Sequence, residues 1–166
     1  RSIINENLEK AVTEEKDIET MNNLMLGSLY AGIAFSNASL GAVHGMAHSL
    51  GGLLDLPHGE CNSILLEHVI DLNFDSAPEK YNNISRSLGI EINSLNSVKE
   101  KLLERIRILR ENVGIRSFIE IAGSRDDLYD LLVKNALDDP CMVTNPKELS
   151  PAEVRNIYER ILQEKR

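Results

Sequence analysis

Apolar residues recur at intervals of three and four along nearly the whole chain, which is the spacing that places them on one face of a helix. The pattern predicts helices over residues 2–12, 14–35, 40–50, 59–72, 76–88, 97–112 and 126–137, and a last helix from Pro151 onward. No stretch alternates convincingly between apolar and polar residues, as a half-buried strand would. The sequence therefore predicts a single all-α domain over residues 1–166, a bundle-like arrangement of about seven to eight helices.

Residues with strong preferences for helix ends support these boundaries. We expect Ser36 and Asn37 to end the second helix and Ser39 to cap the third. Gly89 follows the fifth helix at the position where glycine commonly ends a helix. The run Ser150-Pro-Ala-Glu153 has the pattern of a capping box with proline at the first helical position.

The second predicted helix carries a continuous apolar stripe. Its members are Met21, Leu24, Met25, Leu29, Ile33 and Ala34. The two methionines could contact a cofactor, but packing is the more common use of such a stripe. We therefore expect this face to lie in the core.

Composition and charge narrow the class of protein. The chain has 166 residues, of which 42% are hydrophobic and 27% charged, values typical of one globular domain. No apolar run approaches the roughly 20 residues that a membrane span needs, so we expect no membrane partner. A net charge of −8 argues against nucleic acid.

The cysteines and the amino terminus bear on the cellular setting. Cys61 and Cys141 lie far apart without a repeat, which does not indicate a disulfide framework, and a reducing cytoplasm is the expected location. The chain opens Arg-Ser-Ile-Ile with no signal peptide and no initiator methionine, which suggests either a chain cut from a longer one or a trimmed product.

All four histidines lie between residues 44 and 68. His44 and His48 fall one helical turn apart, beside a core stripe that is formed by Val43, Met46, Ala47, Leu50, Leu53 and Leu54. Glycines flank the two histidines, and each costs a helix interior about 0.5–1 kcal/mol relative to alanine. This cost suggests a close approach by a metal, a cofactor or another helix.

A third histidine, His58, could join the pair after a chain reversal. If the helix continued to Leu54, its rise of about 1.5 Å per residue would carry the chain about 15 Å from His44. We therefore expect the helix to stop near Gly51 and Gly52, and Pro57 to open the next one. An isolated helical histidine is more often a packed or surface residue than a ligand, and His68 is interpreted in that way.

A zinc protease signature would place glutamate directly after the first histidine, as the general base. That position is Gly45, so the chemistry excludes this class of enzyme.

The histidine segment resembles the signature of the iron-containing, or group III, alcohol dehydrogenases. The matching stretches are His44-Gly-Met-Ala-His48-Ser-Leu-Gly-Gly52, Pro57-His58-Gly59, Asn62 with Leu65-Leu-Glu-His-Val69, Gly32-Ile-Ala-Phe-Ser-Asn37, Asn73, Lys80-Tyr81 with Ile84-Ser-Arg-Ser-Leu-Gly89, and Ala136-Leu-Asp-Asp-Pro-Cys141 with Asn145-Pro146. The similarity covers nearly all of the chain. It implies an all-α fold like the carboxy-terminal part of that family.

The resemblance also implies roles for individual residues. His44 and His58 match the two histidines that bind the catalytic divalent metal, Fe²⁺ in many members and Zn²⁺ in some. His48 matches a third histidine beside the metal and the nicotinamide, where it would serve as a catalytic and cofactor-binding residue. Phe35 and Cys141 match positions that line the substrate pocket in some members.

Two parts of the family pattern are missing from the sequence. The other two metal ligands, an aspartate and a histidine four residues apart, precede the region that corresponds to Arg1. The amino-terminal nucleotide-binding domain with its glycine-rich loop is also absent. The resemblance implies that the complete enzyme oxidises alcohols or reduces aldehydes with NAD(P), and that this chain needs the missing domain as a partner.

Two hypotheses from different classes stand at this point. The chain is the metal-binding part of an alcohol dehydrogenase, or it is a truncated and catalytically inactive helical module for binding or assembly. In a third interpretation, two copies pool His44 and His58 into one four-histidine site. Loss of a domain should expose an apolar face, so we also expect a homo-oligomer.

Overall fold

In a computed structural model of the protein, the described residues are 3–13, 17–91, 95–121 and 126–164. They form eight α-helices and one pair of short strands, so the prediction of an all-α fold with seven to eight helices is confirmed. The helices are α1 (Ile3–Thr13), α2 (Ile18–Ala38), α3 (Ala42–Leu54), α4 (His58–Asn73), α5 (Pro78–Ser87), α6 (Leu95–Asn112), α7 (Asp126–Leu137) and α8 (Pro151–Ile161).

The chain divides into two units. The first unit takes residues 1–39 and 77–114, and the second takes residues 40–76 and 115–166. The single domain expected over residues 1–166 stays a prediction. Among the described residues no helix is by itself both long and apolar enough to span a membrane; α2 and α3 meet that criterion only when they are taken together.

In the first unit, α1 packs against α2, and α5 packs against α6. A Cβ at Gly27 would come within 2.7 Å of the Ile4 side chain, so glycine is what permits the close packing of α1 on α2. Arg105 of α6 donates hydrogen bonds to Asn5 at 2.7 Å and Glu9 at 3.0 Å, both on α1. This unit is therefore fastened by polar contacts as well as apolar ones.

The second unit holds the main hydrophobic core. Helix α3 packs against α4 and α7, and α7 packs against α8. The buried side chains include Met46, Leu50, Ile64, Leu132 and Tyr158, which come from four different helices. The Tyr158 hydroxyl donates to the Met46 carbonyl at 2.9 Å, so this polar group is satisfied inside the core. The core fixes α3, and with it the histidine segment.

The prediction that the chain contains no strand is wrong at two short segments. Strand β1 (Ile119–Ile121) pairs in parallel with β2 (Leu162–Glu164), in a register that places Ile119 opposite Leu162. Ile119 and Ile121 are buried and Glu120 between them is exposed. Three residues are too few for this alternation to stand out in a sequence, and the partner strand is remote along the chain.

The predicted end of the second helix is also wrong. Helix α2 continues through Ser36 and Asn37 because their side chains donate to the carbonyls of Gly32 and Ile33, each at 2.7 Å. Small polar side chains can bond back to their own helix in this way instead of ending it. Ser39 has a φ of 63° and closes α2, and the residue that precedes α3 is Gly41 rather than Ser39.

Other predicted boundaries are confirmed. Helix α7 spans Asp126–Leu137, as the spacing predicts. Gly89 adopts the left-handed conformation, with a φ of 79°, directly after α5. Ser150 and Glu153 form a reciprocal capping box at the start of α8, whose first residue is Pro151.

The apolar stripe of α2 does not lie in the core, which corrects the expectation from its spacing. The exposed fractions are 69% for Met25, 58% for Leu29 and 54% for Ile33. Among the described residues of α2, only Thr20 and Gly27 are buried. Periodicity shows that a helix has an apolar face, but it does not show whether the same chain covers that face.

Candidate functional site

Three histidines converge on one side of the second unit. His44 and His48 lie one turn apart on α3, and His58 is the first residue of α4. The ring centroid of His58 is 5.4 Å from that of His44 and 5.3 Å from that of His48. The centroids of His44 and His48 are 6.1 Å apart. The structure thus brings together the three histidines that the sequence singled out. His68 lies farther along α4, partly buried, with Nε2 3.6 Å from Glu67 Oε1.

We expected helix α3 to stop at the glycine pair, and this prediction is wrong. The helix continues to Leu54. Asp55 then adopts the left-handed conformation and the Leu56 amide donates to the Gly51 carbonyl at 3.3 Å, which reverses the chain within three residues. A Cβ at Gly51 would lie 3.2 Å from the Leu56 carbonyl oxygen, so glycine suits this tight return. The reversal and the reach of two imidazole side chains together bring His58 to His44.

The glycine between the first two histidines lets another segment approach α3. A Cβ at Gly45 would lie 2.9 Å from the Met142 sulfur, which belongs to the 3₁₀ turn Pro140–Thr144. The sequence suggested a close approach of a metal, a cofactor or another helix at these glycines. At Gly45 another helix does approach, since the Ala136 carbonyl oxygen of α7 would lie 3.4 Å from the Cβ, and the turn lies closer still. The turn carries Cys141 to the histidines.

An asparagine ties the ends of these elements together. The Asn145 side-chain oxygen accepts from the Ala42 amide at 3.2 Å and from the Asn73 side chain at 2.8 Å. Its side-chain nitrogen donates back to Asn73 at 2.9 Å. Asn145 therefore joins the start of α3, the end of α4 and the segment after the 3₁₀ turn. We call this the Asn145 clamp.

The structure adds Asp139, which the sequence analysis left out of the site. His48 Nδ1 and Asp139 Oδ2 are 2.9 Å apart, and Asp139 Oδ1 accepts from the Cys141 amide at 2.8 Å. Burial favours the neutral acid, but the hydrogen bonds from Cys141 and His48 outweigh it and lower the pKa of Asp139. Asp139 is therefore a carboxylate that faces His48. Asp139 lies in the matched stretch Ala136-Leu-Asp-Asp-Pro-Cys141, but no local pattern there indicates its contact with His48.

Burial and charge set the protonation of the other groups. Burial, together with the neighbouring His58 and His48, lowers the pKa of His44, which keeps its imidazole neutral. Burial, with Asp139 beside it, raises the pKa of the Cys141 thiol to about 11. A neutral imidazole has a lone pair for a metal ion or a proton, whereas the thiol must lose its proton before it can bind a metal.

Asn62 contacts the site, and Phe35 is a residue that the sequence analysis assigned to it. The side-chain nitrogen of Asn62 lies 2.8 Å from His58 Nε2 and donates to the His58 carbonyl at 3.0 Å, which orients that imidazole. Phe35 belongs to the first unit and is 49% exposed, whereas Cys141 belongs to the second unit. Their shared role as a substrate pocket stays a prediction.

Comparison with known proteins gives one consistent result. The sequence profile "Fe-containing alcohol dehydrogenase family, C-terminal" matches residues 2–162. The chain is 38% identical over 144 residues to the lactaldehyde reductase of Escherichia coli K12, a match that covers 86% of this chain and 38% of the reductase. It is 33% identical over 162 residues to the NAD-dependent methanol dehydrogenase of Bacillus methanolicus, with 96% and 42% covered.

A solved structure agrees with the sequence comparisons. The alcohol dehydrogenase from Oenococcus oeni superposes with a TM-score of 0.87 at 30% identity and covers 96% of this chain and 42% of that one. The chain therefore spans about two fifths of the length of the relatives it matches.

Proposed function

The chain belongs to the iron-containing alcohol dehydrogenase family, and we propose from this that it forms the metal-binding part of an NAD(P)-dependent alcohol dehydrogenase. Its substrates would be small alcohols and aldehydes. The observation that carries the proposal is the convergence of His44, His48 and His58, whose ring centroids lie within 6.1 Å of one another. Two relatives, a lactaldehyde reductase and an NAD-dependent methanol dehydrogenase, support the substrate class and the cofactor.

The residues present fit one half of a site for Fe²⁺, or for Zn²⁺. His44 and His58 would hold the ion, since neutral imidazoles are good ligands for both metals. Two imidazoles leave most coordination positions to water. By family resemblance, the remaining ligands would be an aspartate and a histidine of the amino-terminal nucleotide-binding domain, which makes that domain the principal proposed partner.

The chemistry divides between the bound groups and the chain. When bound, a divalent metal stabilises negative charge on a substrate oxygen, and the nicotinamide accepts or donates the hydride. His48 would take the hydroxyl proton at Nε2, because its Nδ1 faces Asp139 at 2.9 Å. A carboxylate in this position fixes the imidazole tautomer and stabilises the imidazolium that forms.

We also propose a homo-oligomer in a reducing cytoplasm. The exposed apolar stripe of α2 supports association, because large apolar patches are uncommon on the surfaces of monomers. Cys61 and Cys141 are both free thiols, which agrees with a reducing compartment.

A second candidate function is a catalytically inactive helical module for binding or assembly. One observation favours it: the exposed apolar stripe of α2 offers a surface for association that needs no metal. The two candidates differ in what happens when the other half is supplied.

A chimera tests the proposal directly. This chain is joined to the amino-terminal domain of the Escherichia coli lactaldehyde reductase, loaded with Fe²⁺, and assayed for NAD(P)H formation from small alcohols. We expect activity that is lost in His44→Ala and His58→Ala and kept in His68→Ala, which is the matched control from the same segment. A folded chimera without activity would instead support the inactive module.

A further inference from the structure

One histidine of the cluster and two residues beside it have the composition of a second metal site. One ligand atom from each of His48, Asp139 and Cys141 lies within 4.8 Å of the other two. Among the described residues, no other group of three histidine, cysteine or acidic side chains has its ligand atoms this close together. We propose that His48, Asp139 and Cys141 bind a zinc ion at a site that shares no ligand with His44 and His58.

The donor atoms select the class of metal. An imidazole nitrogen, a carboxylate oxygen and a thiolate sulfur are the ligands that Zn²⁺ takes in proteins, at about 2.0–2.3 Å. A thiolate disfavours Mg²⁺, Ca²⁺ and Mn²⁺, which prefer oxygen. Around a tetrahedral zinc ion these bond lengths place ligand atoms roughly 3.3–3.6 Å apart. The His48 and Asp139 atoms, at 2.9 Å, are already close to that separation.

The three residues are held by separate contacts. His48 lies within α3, whose neighbouring residues Met46 and Leu50 are fully buried. The Cys141 amide occupies Asp139 Oδ1, which leaves Oδ2 to face His48. Since these positions do not depend on a ligand, little rearrangement is needed for an ion to bind.

Access and charge also suit an ion that enters from solvent. The exposed fraction of the side chain is 43% for His48 but 15% for Asp139, so the site opens on the histidine side. Zinc would take the place of the proton at His48 Nδ1, which would move to Nε2, and of the Cys141 thiol proton, which would leave to the buffer. Three protein ligands leave one position for water.

Cobalt titration of the full chain, purified without a histidine tag, tests this site. Co²⁺ bound to a thiolate has a near-ultraviolet charge-transfer band, which nitrogen and oxygen ligands do not produce. We expect one such band per chain that Zn²⁺ abolishes. The band should be lost in Cys141→Ser and kept in Cys61→Ala, the control at the other cysteine. Asp139→Asn should weaken binding at least tenfold, and His44→Ala and His58→Ala should leave the band unchanged.

Other results would overturn the proposal. These are absence of the band in the wild-type chain, its survival in Cys141→Ser, or its loss in His44→Ala or His58→Ala. If Cys141→Ser does not fold by circular dichroism, zinc protection of Cys141 against alkylation in the wild-type chain decides the question. Peptide mass spectrometry then compares Cys141 with Cys61, and equal alkylation with and without zinc would overturn the site. The dehydrogenase proposal is tested separately, through His44 and His58.

Discussion

His48 Nδ1 lies 2.9 Å from Asp139 Oδ2, although 91 residues separate the two along the chain. The contact distinguishes His48 from His44, which lies on the same helix and faces the other imidazoles. A carboxylate on Nδ1 leaves Nε2 to exchange protons. The pair thus gives chemically different surroundings to two histidines that look alike in the sequence.

Replacing Asp139 by asparagine should slow the chimeric dehydrogenase. The amide keeps the size of the side chain but removes the charge that stabilises a protonated His48. We expect kcat to fall about 10- to 100-fold with KM nearly unchanged, the usual effect of losing a residue that orients a catalytic histidine. Steady-state kinetics across pH measures this. Asp138→Asn is the control, since Asp138 pairs with Lys134 on the surface. An equal loss in both variants would contradict the role of Asp139.

Alanine at Gly45 should destabilise the second unit. The new methyl group would lie 2.9 Å from the Met142 sulfur and 3.4 Å from the Ala136 carbonyl oxygen. Overpacking of this kind costs about 1–3 kcal/mol. Gly52→Ala, on the same helix with nothing within 4 Å of the new Cβ, should instead stabilise by about 0.5–1 kcal/mol. Urea unfolding of both variants measures the difference, and equal effects would show that α3 does not contact the turn closely.

Alanine substitution of two methionines should show that the core contributes more to the free energy of unfolding than the stripe of α2 does. Met46 is fully buried, so Met46→Ala should lower the free energy of unfolding by about 2–5 kcal/mol. Met25 is 69% exposed in the single chain, so Met25→Ala should change the stability of a monomer by no more than about 0.5 kcal/mol. A larger loss is expected if the proposed homo-oligomer covers the stripe. Thermal unfolding of the two variants, with light scattering for mass, tests this. A large effect of Met25→Ala would mean that another molecule covers the stripe.

Acid should weaken the start of α8. The pKa of Glu153 falls from 4.5 to about 2, first because Lys147 donates a hydrogen bond to it and then because Ser150 does. The hydrogen bonds that lower the pKa stabilise the folded state fully above pH 4.5, where Glu153 is ionised in both the folded and the unfolded chain. This contribution disappears as the pH falls toward 2. Glu153→Gln should therefore be less stable than the wild type at pH 6 and nearly equal to it at pH 2. The exposed Glu148, changed to glutamine, is the control. A constant difference between Glu153→Gln and wild type at both pH values would contradict this linkage.

The isolated chain should contain far less than one iron per molecule. Two imidazoles leave most of the coordination of Fe²⁺ to water, so binding is weak. Elemental mass spectrometry of untagged protein measures the iron content, with His44→Ala and His58→Ala beside it and His68→Ala as control. Near one iron per chain, lost in the first two variants, would indicate a site completed by a second copy of the chain.

The sequence predicted those features that depend on local patterns. The bounds of α7, the capping box at Ser150 and the left-handed Gly89 each follow from neighbouring residues. It failed where distant parts of the chain decide the outcome. The pairing of Ile119 with Leu162 and the contact of Asp139 with His48 leave no local signal, because each partner lies far along the chain.

The stripe of α2 and the end of α3 show a second limit of prediction from sequence. Spacing identified the apolar face of α2, but not that Met25 and Leu29 lie exposed. Rise along a helix gave a backbone separation of about 15 Å between His44 and Leu54. It did not include a reversal as short as Asp55–Pro57, nor the length of the side chains that meet across it.

The Asn145 clamp has a consequence for synthesis on the ribosome. His44, His48 and His58 emerge early, but the asparagine that joins their helices emerges about 90 residues later. The intervening residues 77–114 belong to the other unit. Contacts between remote parts of a chain form slowly because a long loop must first close. The histidine helices are therefore synthesised well before the residue that joins them, and nascent chains arrested before residue 145 would carry the histidines without the Asn145 clamp.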